Sequence, residues 1–146
     1  MTCPTANMAN VSSDTVFQDI VLRTNCSIKF GQGVILQNTV IATSNTSATS
    51  LNAASGLQVG RNDGCLEGGG AQLITMGGMR FPADLKVYGG QLLAKGDIQF
   101  AANANGIAGV SFIAGGTISG TSNMAMGFCG TGMENNFQAE YFRLTY

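Results

Sequence analysis

Three stretches in the middle of the chain decide its fold: Gln72-Leu-Ile-Thr-Met-Gly-Gly-Met-Arg-Phe81, Gln91-Leu-Leu-Ala-Lys-Gly-Asp-Ile-Gln-Phe100 and Ser111-Phe-Ile-Ala-Gly-Gly-Thr-Ile-Ser-Gly120. Each consists of a short apolar strand, a turn that contains glycine and a second short strand. Their starting positions, 72, 91 and 111, are 19 and 20 residues apart, so the repeat is 19–20 residues long. A repeat of this length with several strands per copy is typical of a β-solenoid, in which each copy forms one coil and stacks on the next.

Alternation of apolar and polar residues assigns the two sides of each strand. In Met79-Arg-Phe81, Ile98-Gln-Phe100 and Ile28-Lys-Phe30, the outer residues are apolar and the middle one is polar. Successive side chains of a strand point to opposite faces, so the outer residues are expected inside and the middle ones in solvent. The period also places Phe81 and Phe100 in register, where we expect their rings to stack.

The whole chain is interpreted as one all-β domain. We predict an irregular lead-in or cap over 1–15, a small right-handed parallel β-solenoid of about six coils over 16–126, and a tail over 127–146 that folds back on it. Glycines at 77, 96 and 116 are expected to form a column at one corner, where they would permit positive φ. The alternative is an antiparallel β-sandwich. It fits less well because hairpins would reverse the face pattern, which instead recurs in the same order.

Composition narrows the classes of partner. Only 10% of the 146 residues are charged and the formal net charge is −1, which argues against a nucleic-acid partner held by electrostatics. No run approaches 18 apolar residues, so no membrane span is predicted. The first residues lack the basic and apolar segments of a signal peptide, and we expect any export signal or anchor to lie upstream of Met1.

The four cysteines are widely spaced, at Cys3, Cys26, Cys65 and Cys129. The chain has no Cys-x-x-Cys motif and no histidine, which makes a zinc site improbable. Two disulfides in an oxidising compartment are the preferred interpretation, with buried free thiols as the alternative. Sequential pairing would join Cys3 to Cys26 and Cys65 to Cys129. The expected location is secreted, periplasmic or at the cell surface.

The side chains that could carry chemistry do not form a recognisable site. Without histidine, a Ser-His-Asp or Cys-His arrangement is impossible. The acids of the middle region do not share a column at coil spacing, and the glycines at 68–70 are not followed by the Gly-Lys-Ser/Thr ending of a phosphate loop. We therefore predict no catalytic residue, no metal and no cofactor. The acids and bases weighed were Asp63, Glu67, Asp84, Asp97, Arg61, Arg80 and Lys95.

A family resemblance is carried by the second half of the chain, roughly residues 57–146. It resembles the C-terminal region of TadG/TadE-like pilus-assembly proteins of alphaproteobacteria, which similarly carry apolar-apolar-Ala-Gly-Gly coils ending in Asn/Ala-rich turns. The resemblance implies a β-solenoid in an exported, pilus-associated protein, and it brings no catalytic residues. The residues that carry it include Asp63-Gly-Cys65, Gly68-Gly-Gly70, Gln72-Leu-Ile-Thr-Met-Gly-Gly78, Gly89-Gly-Gln-Leu-Leu-Ala-Lys-Gly-Asp-Ile-Gln-Phe100, Phe112-Ile-Ala-Gly-Gly116 and Gly127-Phe-Cys-Gly-Thr-Gly-Met133.

The most informative surface feature is an apolar column. If Leu73, Leu92 and Phe112 point inward, Ile74, Leu93 and Ile113 point outward one above the other. Such a stripe is either an interface for a protein partner or a second copy, or a surface covered by the chain's own tail. We predict a non-enzymatic structural or adhesive module that presents a rigid solenoid face. The alternative from a different class is a polysaccharide-binding or polysaccharide-cleaving β-helix protein.

Overall fold

The computed structural model describes residues 3, 7–102, 106–121 and 126–127. This part of the chain is built from short strands and contains no helix, so none that could cross a membrane. The strands are β1 (Met8–Val11), β2 (Val16–Gln18), β3 (Val21–Thr24), β4 (Ser27–Phe30), β5 (Ile35–Gln37), β6 (Thr39–Thr43), β7 (Leu51–Ala53), β8 (Gln58–Val59), β9 (Ala71–Thr75), β10 (Met79–Phe81), β11 (Lys86–Ala94), β12 (Ile98–Phe100), β13 (Ile107–Ala114), β14 (Ile118–Ser119) and β15 (Met126–Gly127).

Strands from successive coils pair in parallel and form three faces. The first face stacks β1, β4, β7, β10, β12 and β14. The second face contains β2, β5, β8, the beginnings of β11 and β13, and β15, whereas the third contains β3, β6, β9 and the ends of β11 and β13. The predicted β-solenoid is thereby confirmed and the antiparallel sandwich is not. The described residues make about five turns, slightly fewer than the six expected.

The repeat is regular except in the third coil. Met79 pairs with Ile98 and Ile98 pairs with Ile118, so both of these coils keep the interval read from the sequence. The third coil is longer, since Thr39 pairs with Ala71 on the third face. The additional residues lie in the corners 44–50 and 60–70, and the strands on either side of these corners keep their parallel pairing.

Apolar side chains fill the interior in the predicted alternation. Phe30 and Phe81 are completely or almost completely buried, whereas Lys29, Arg80 and Gln99 are exposed between buried neighbours. Burial of a side chain of this size stabilises the fold by roughly 1.5–3 kcal/mol. The register of Phe81 with Phe100 is confirmed. The ring stack, however, joins Phe100 to Phe112, with centroids 4.6 Å apart.

The corner between the first and second faces depends on a column of residues with positive φ. Asp14, Gly33, Gly56 and Asp84 occupy equivalent positions in four coils, with φ of 57°, 69°, 68° and 51°. Glycine adopts this conformation without a Cβ penalty, and aspartate tolerates it better than most residues. Backbone hydrogen bonds continue through the corner, from the Gly33 N–H to the Ser55 carbonyl at 3.0 Å and from the Asp14 N–H to the Gln32 carbonyl at 2.8 Å.

Buried threonines form the corner between the third and first faces. Thr24, Thr43 and Thr75 lie in register, and each side-chain oxygen accepts the N–H of the residue two positions later, at 2.9–3.1 Å. These bonds satisfy backbone donors where the chain leaves the sheet. The threonine hydroxyls therefore act as turn caps inside an otherwise apolar core.

Gly77, Gly96 and Gly116 stack at this same corner, as predicted, but the predicted reason was wrong. None of the three has a positive φ. The Gly96 N–H donates to the Gly77 carbonyl, and the Gly116 N–H to the Gly96 carbonyl. A Cβ on Gly77 would lie 2.2 Å from the carbonyl oxygen of Ser47. Close approach of neighbouring coils, and not backbone conformation, requires glycine at this position.

The N-terminal region is more regular than predicted. β1 lies within the stretch expected to be an irregular lead-in, and it pairs with β4 from Met8 to Val11. Because of this pairing, the first coil begins at Met8. The side chains of Ala9 and Val11 point inward and are partly buried. A disulfide joins Cys3 to Cys26, with Cα atoms 5.3 Å apart.

Most of the predictions for the C-terminal region concern residues outside the described part of the chain. Cys65 is disulfide-bonded, but Cys129, its predicted partner, lies outside the described residues. The predicted fold-back of 127–146 lies outside them as well, except for Gly127, which ends β15.

Candidate interface on the third face

Ile74, Leu93 and Ile113 form one column on the outer surface of the third face. Ile74 pairs with Leu93 and Leu93 pairs with Ile113 in the parallel ladders. At about 4.8 Å between neighbouring strands, the three side chains span roughly 10 Å along the solenoid axis. The structure therefore brings together the three residues that the sequence singled out.

Their outward direction follows from the residues beside them. Leu73 and Leu92 are fully buried, and alternation turns the next residue to the opposite side of the strand. Ile74 and Leu93 are half-buried, whereas Ile113 is 50% exposed. Part of the apolar surface of this column, most of it on Ile113, therefore remains open to contact with another surface.

The column continues in one direction that the sequence did not indicate. Ala42 of β6 pairs with Ile74 and extends the apolar column by one coil, and Arg23 of β3 follows as its charged end. Met76, just past the end of β9, is 48% exposed. Ala42 was not predicted to belong to the column, because the third coil is longer than the repeat of the other coils. The signal was present in the alternation of Thr39-Val-Ile-Ala-Thr43, which matches that of β9.

A groove of about 560 Å³ borders the column on the side of the 60–70 corner. Glycine backbone at 89, 90 and 109 forms part of its floor, and Leu66 at its edge is 64% exposed. A Cβ on Gly89 would lie 3.3 Å from the sulfur of Cys65, so glycine leaves room for the corner to lie against the sheet. The groove has polar walls, to which Asn38, Glu67, Gln72, Gln91 and Ser111 contribute.

The 60–70 corner is held together by its own hydrogen bonds. The Arg61 side chain forms an ion pair with Asp63. The backbone N–H of Arg61 donates to the backbone carbonyl of Gly69 at 2.9 Å. Asp63 also accepts the Leu66 N–H at 3.1 Å. The hydrogen bond from Arg61 is the main cause that holds the pKa of the Asp63 carboxyl below its ordinary value. The Arg61 guanidinium thus favours the charged form of the Asp63 carboxyl.

Two of the other acids considered in the sequence, Asp84 and Asp97, are engaged in local contacts. Asp84 forms an ion pair with Lys86 at 3.4 Å, and Asp97 accepts the Thr117 N–H at 2.8 Å. Among residues 3, 7–102, 106–121 and 126–127, no group of three His, Cys, Asp or Glu side chains is close enough to hold a metal ion. What the third face offers chemically is apolar contact area with amide and hydroxyl groups at its border.

These features define a parallel β-solenoid that presents an apolar column on one face. Residues 1–130 match the family model described as "Domain of unknown function (DUF7867)", and the chain belongs to this family. No curated protein and no solved structure matches the chain. The family description specifies no activity, so the resemblance to TadG/TadE-like proteins stays a prediction.

Proposed function

We propose that the protein is a non-enzymatic structural or adhesive module that binds a protein partner or a second copy through its third face. The observation that carries this proposal is the register of Ala42, Ile74, Leu93 and Ile113 on adjacent strands. An interface gains most from apolar groups that are already held in place, because little side-chain freedom is lost on binding. The parallel ladders hold these four in place before any partner arrives.

The compartment proposed for this role is outside the cytoplasm. The Cys3–Cys26 disulfide supports it, since such bonds persist in secreted, periplasmic and surface proteins and are rare in the reducing cytosol. Together with the resemblance described above, this leads us to propose an exported, surface or pilus-associated assembly as its context.

The experiment compares the wild type with Leu93→Asp and a matched control, Gln18→Asp. Both variants introduce one negative charge at a side chain on the outer surface, but Gln18 is exposed on the second face, away from the apolar column. Sedimentation over a range of concentrations reports self-association. Immobilised protein incubated with exported proteins of the source organism reports a partner, identified by mass spectrometry and rebound in purified form.

The expected result is loss of the self-associated species or of the purified partner with Leu93→Asp, and its retention with Gln18→Asp. The proposal fails if the wild type neither self-associates nor binds a purified partner. It also fails if Leu93→Asp, shown by circular dichroism to be folded, binds as well as the wild type.

The alternative from a different class is polysaccharide binding or cleavage. Binding is favoured by a row of polar side chains on the first face, which includes the exposed Lys29 and Arg80 and is independent of the apolar column. The chemistry of cleavage has no comparable support in the described residues, because Asp84 and Asp97 are engaged in the local contacts given above.

A further inference from the structure

The outer surface of the first face carries one uninterrupted column of polar side chains. Its six members come from β1, β4, β7, β10, β12 and β14 and are paired strand by strand in the ladder. At about 4.8 Å per strand the column is roughly 24 Å long and runs parallel to the solenoid axis. The residues are Asn10, Lys29, Asn52, Arg80, Gln99 and Ser119.

The column carries positive charge and no carboxylate. Lys29 and Arg80 are exposed and lie two strands apart, about 10 Å at this strand spacing. The ion pairs of the described residues, Arg61–Asp63 and Lys86–Asp84, include neither of them. The amides of Asn52 and Gln99 lie next to Arg80 in the ladder. Cations and amides thus alternate at a spacing fixed by the backbone.

Small or short side chains lie beside this column, at the positions two residues later and just past the end of each strand. The column of polar side chains therefore forms a ridge next to a low strip. At the C-terminal end, this relief forms a groove of about 300 Å³ between Arg80, Gln99 and Ser119 on one side and Pro82 and Ala101 on the other. The residues of the low strip are Ser12, Gly31, Ala54, Pro82, Ala101 and Thr121.

The chemistry of this ridge selects the kind of ligand. Arginine binds a carboxylate or sulfate through parallel N–H donors, and amide side chains both donate to and accept from hydroxyl groups. A polymer that repeats hydroxyls along its length and carries spaced acidic groups matches both. Two cations over about 24 Å fall far short of the charge density of nucleic acid, which carries one negative charge per roughly 1.7 Å of duplex.

We infer that the first face binds an extended acidic polysaccharide that lies along the solenoid axis. Lys29 and Arg80 bind its carboxylate or sulfate groups. Asn52, which lies between them, and Gln99, which lies beyond Arg80, bind hydroxyls of the neighbouring sugars. This site is separate from the apolar column of the third face and does not depend on the function proposed for that face.

The test uses the full chain and measures binding by calorimetry at low and at physiological salt. The probes are polygalacturonate for carboxylate, dextran sulfate for sulfate, neutral dextran, and single-stranded DNA of similar length. The variants are Lys29→Gln/Arg80→Gln, which removes both charges from exposed positions, and Lys95→Gln as the matched control. Lys95 is also exposed but lies in the corner between the third and first faces, after the end of β11 and outside the column.

We expect wild-type protein to bind at least one acidic polysaccharide and the double variant to bind it at least about tenfold more weakly, because each charge-assisted hydrogen bond contributes more than a neutral one. Lys95→Gln should bind as the wild type does, and so should Leu93→Asp. A loss only with polygalacturonate, or only with dextran sulfate, identifies which acidic group is bound.

Four results would overturn the inference. They are no binding of either acidic polymer by the wild type, equal binding of neutral dextran, an equal loss in Lys95→Gln, and binding of single-stranded DNA as tight as that of the polysaccharide. The last would reassign the face to nucleic acid. Because Leu93→Asp is included, failure here is distinguishable from failure of the interface on the third face.

Discussion

The hydroxyl oxygens of Ser50 and Thr75 lie 2.5 Å apart inside the solenoid, although 25 residues separate them in the chain. Ser50 also donates to the Gly78 carbonyl at 2.9 Å, and Thr75 accepts the Gly77 N–H at 2.9 Å. Either hydroxyl can donate in the contact between them, and the Thr75 hydroxyl also reaches the Asn45 carbonyl at 3.4 Å. Both side chains are buried, so the cluster links the 44–50 corner to the coil that follows it.

Thr75→Val should destabilise the protein by about 1–3 kcal/mol, because the valine keeps the volume but leaves the buried Gly77 N–H without its acceptor. Denaturant unfolding measures the change. Thr117→Val is the control, since Thr117 is exposed, and it should shift the free energy of unfolding by less than about 0.5 kcal/mol. Similar small shifts in both variants would show that the hydroxyl cluster is unimportant for stability.

Phe81→Ala and Arg80→Ala test the assignment of inside and outside on β10. Phe81 is 1% exposed, and its truncation should cost about 3–5 kcal/mol. Arg80 is exposed one position away, so its truncation should cost less than about 0.5 kcal/mol. Equilibrium unfolding of the two variants provides the comparison, and equal losses would contradict the assignment.

Gly77→Ala and Gly96→Ala test why glycine occupies the corner between the third and first faces. A Cβ would lie 2.2 Å from a backbone oxygen at Gly77 but 3.1 Å from the nearest atom at Gly96. We expect Gly77→Ala to cost about 1–3 kcal/mol, as for overpacking of a filled site, and Gly96→Ala to cost clearly less. Thermal unfolding ranks the two. The reverse order would show that contact with the preceding coil is not the determinant.

Removal of the disulfide at the N-terminal end tests how firmly the first coil is held. The Cys3–Cys26 bond joins cysteines with a sequence separation of 23, and a cross-link of this span stabilises a folded chain by about 3 kcal/mol. Cys3→Ser should therefore lower the unfolding free energy by an amount of this order. Peptide mapping of wild-type protein without reductant should recover the Cys3–Cys26 pair. A free Cys3 thiol in that map would remove the basis of the prediction.

The sequence predicted the regular coils because their pattern is local. The alternation around Arg80 and Gln99 can be read from three consecutive residues, and the outward direction of Ile74, Leu93 and Ile113 follows from the same rule. Register across the third coil could not be predicted, since the corners 44–50 and 60–70 have no fixed length. For this reason the continuation of the column to Ala42 was found only in the structure.

The role of Gly77 was also beyond sequence reasoning. Its neighbour is the carbonyl of Ser47, which is distant in the chain, and only the stacking of coils brings the two together. The strand at Met8 was missed for a related reason. Met-Ala-Asn-Val has one large inward residue at most, and its conformation depends on pairing with β4. Short segments such as this one take their structure from a partner strand.

Because of the corner at 60–70, the number of residues in the chain does not determine the height of the solenoid. Thr39 and Ala71 are neighbours in the ladder of the third face, so all of the chain between them advances the solenoid by one strand spacing. Elsewhere a much shorter segment achieves the same advance, as from Met79 to Ile98. Two family members of unequal size can therefore have rods of equal height. Their difference would lie in how far the corners project sideways, and an insertion there would leave the positions of side chains on the faces unchanged.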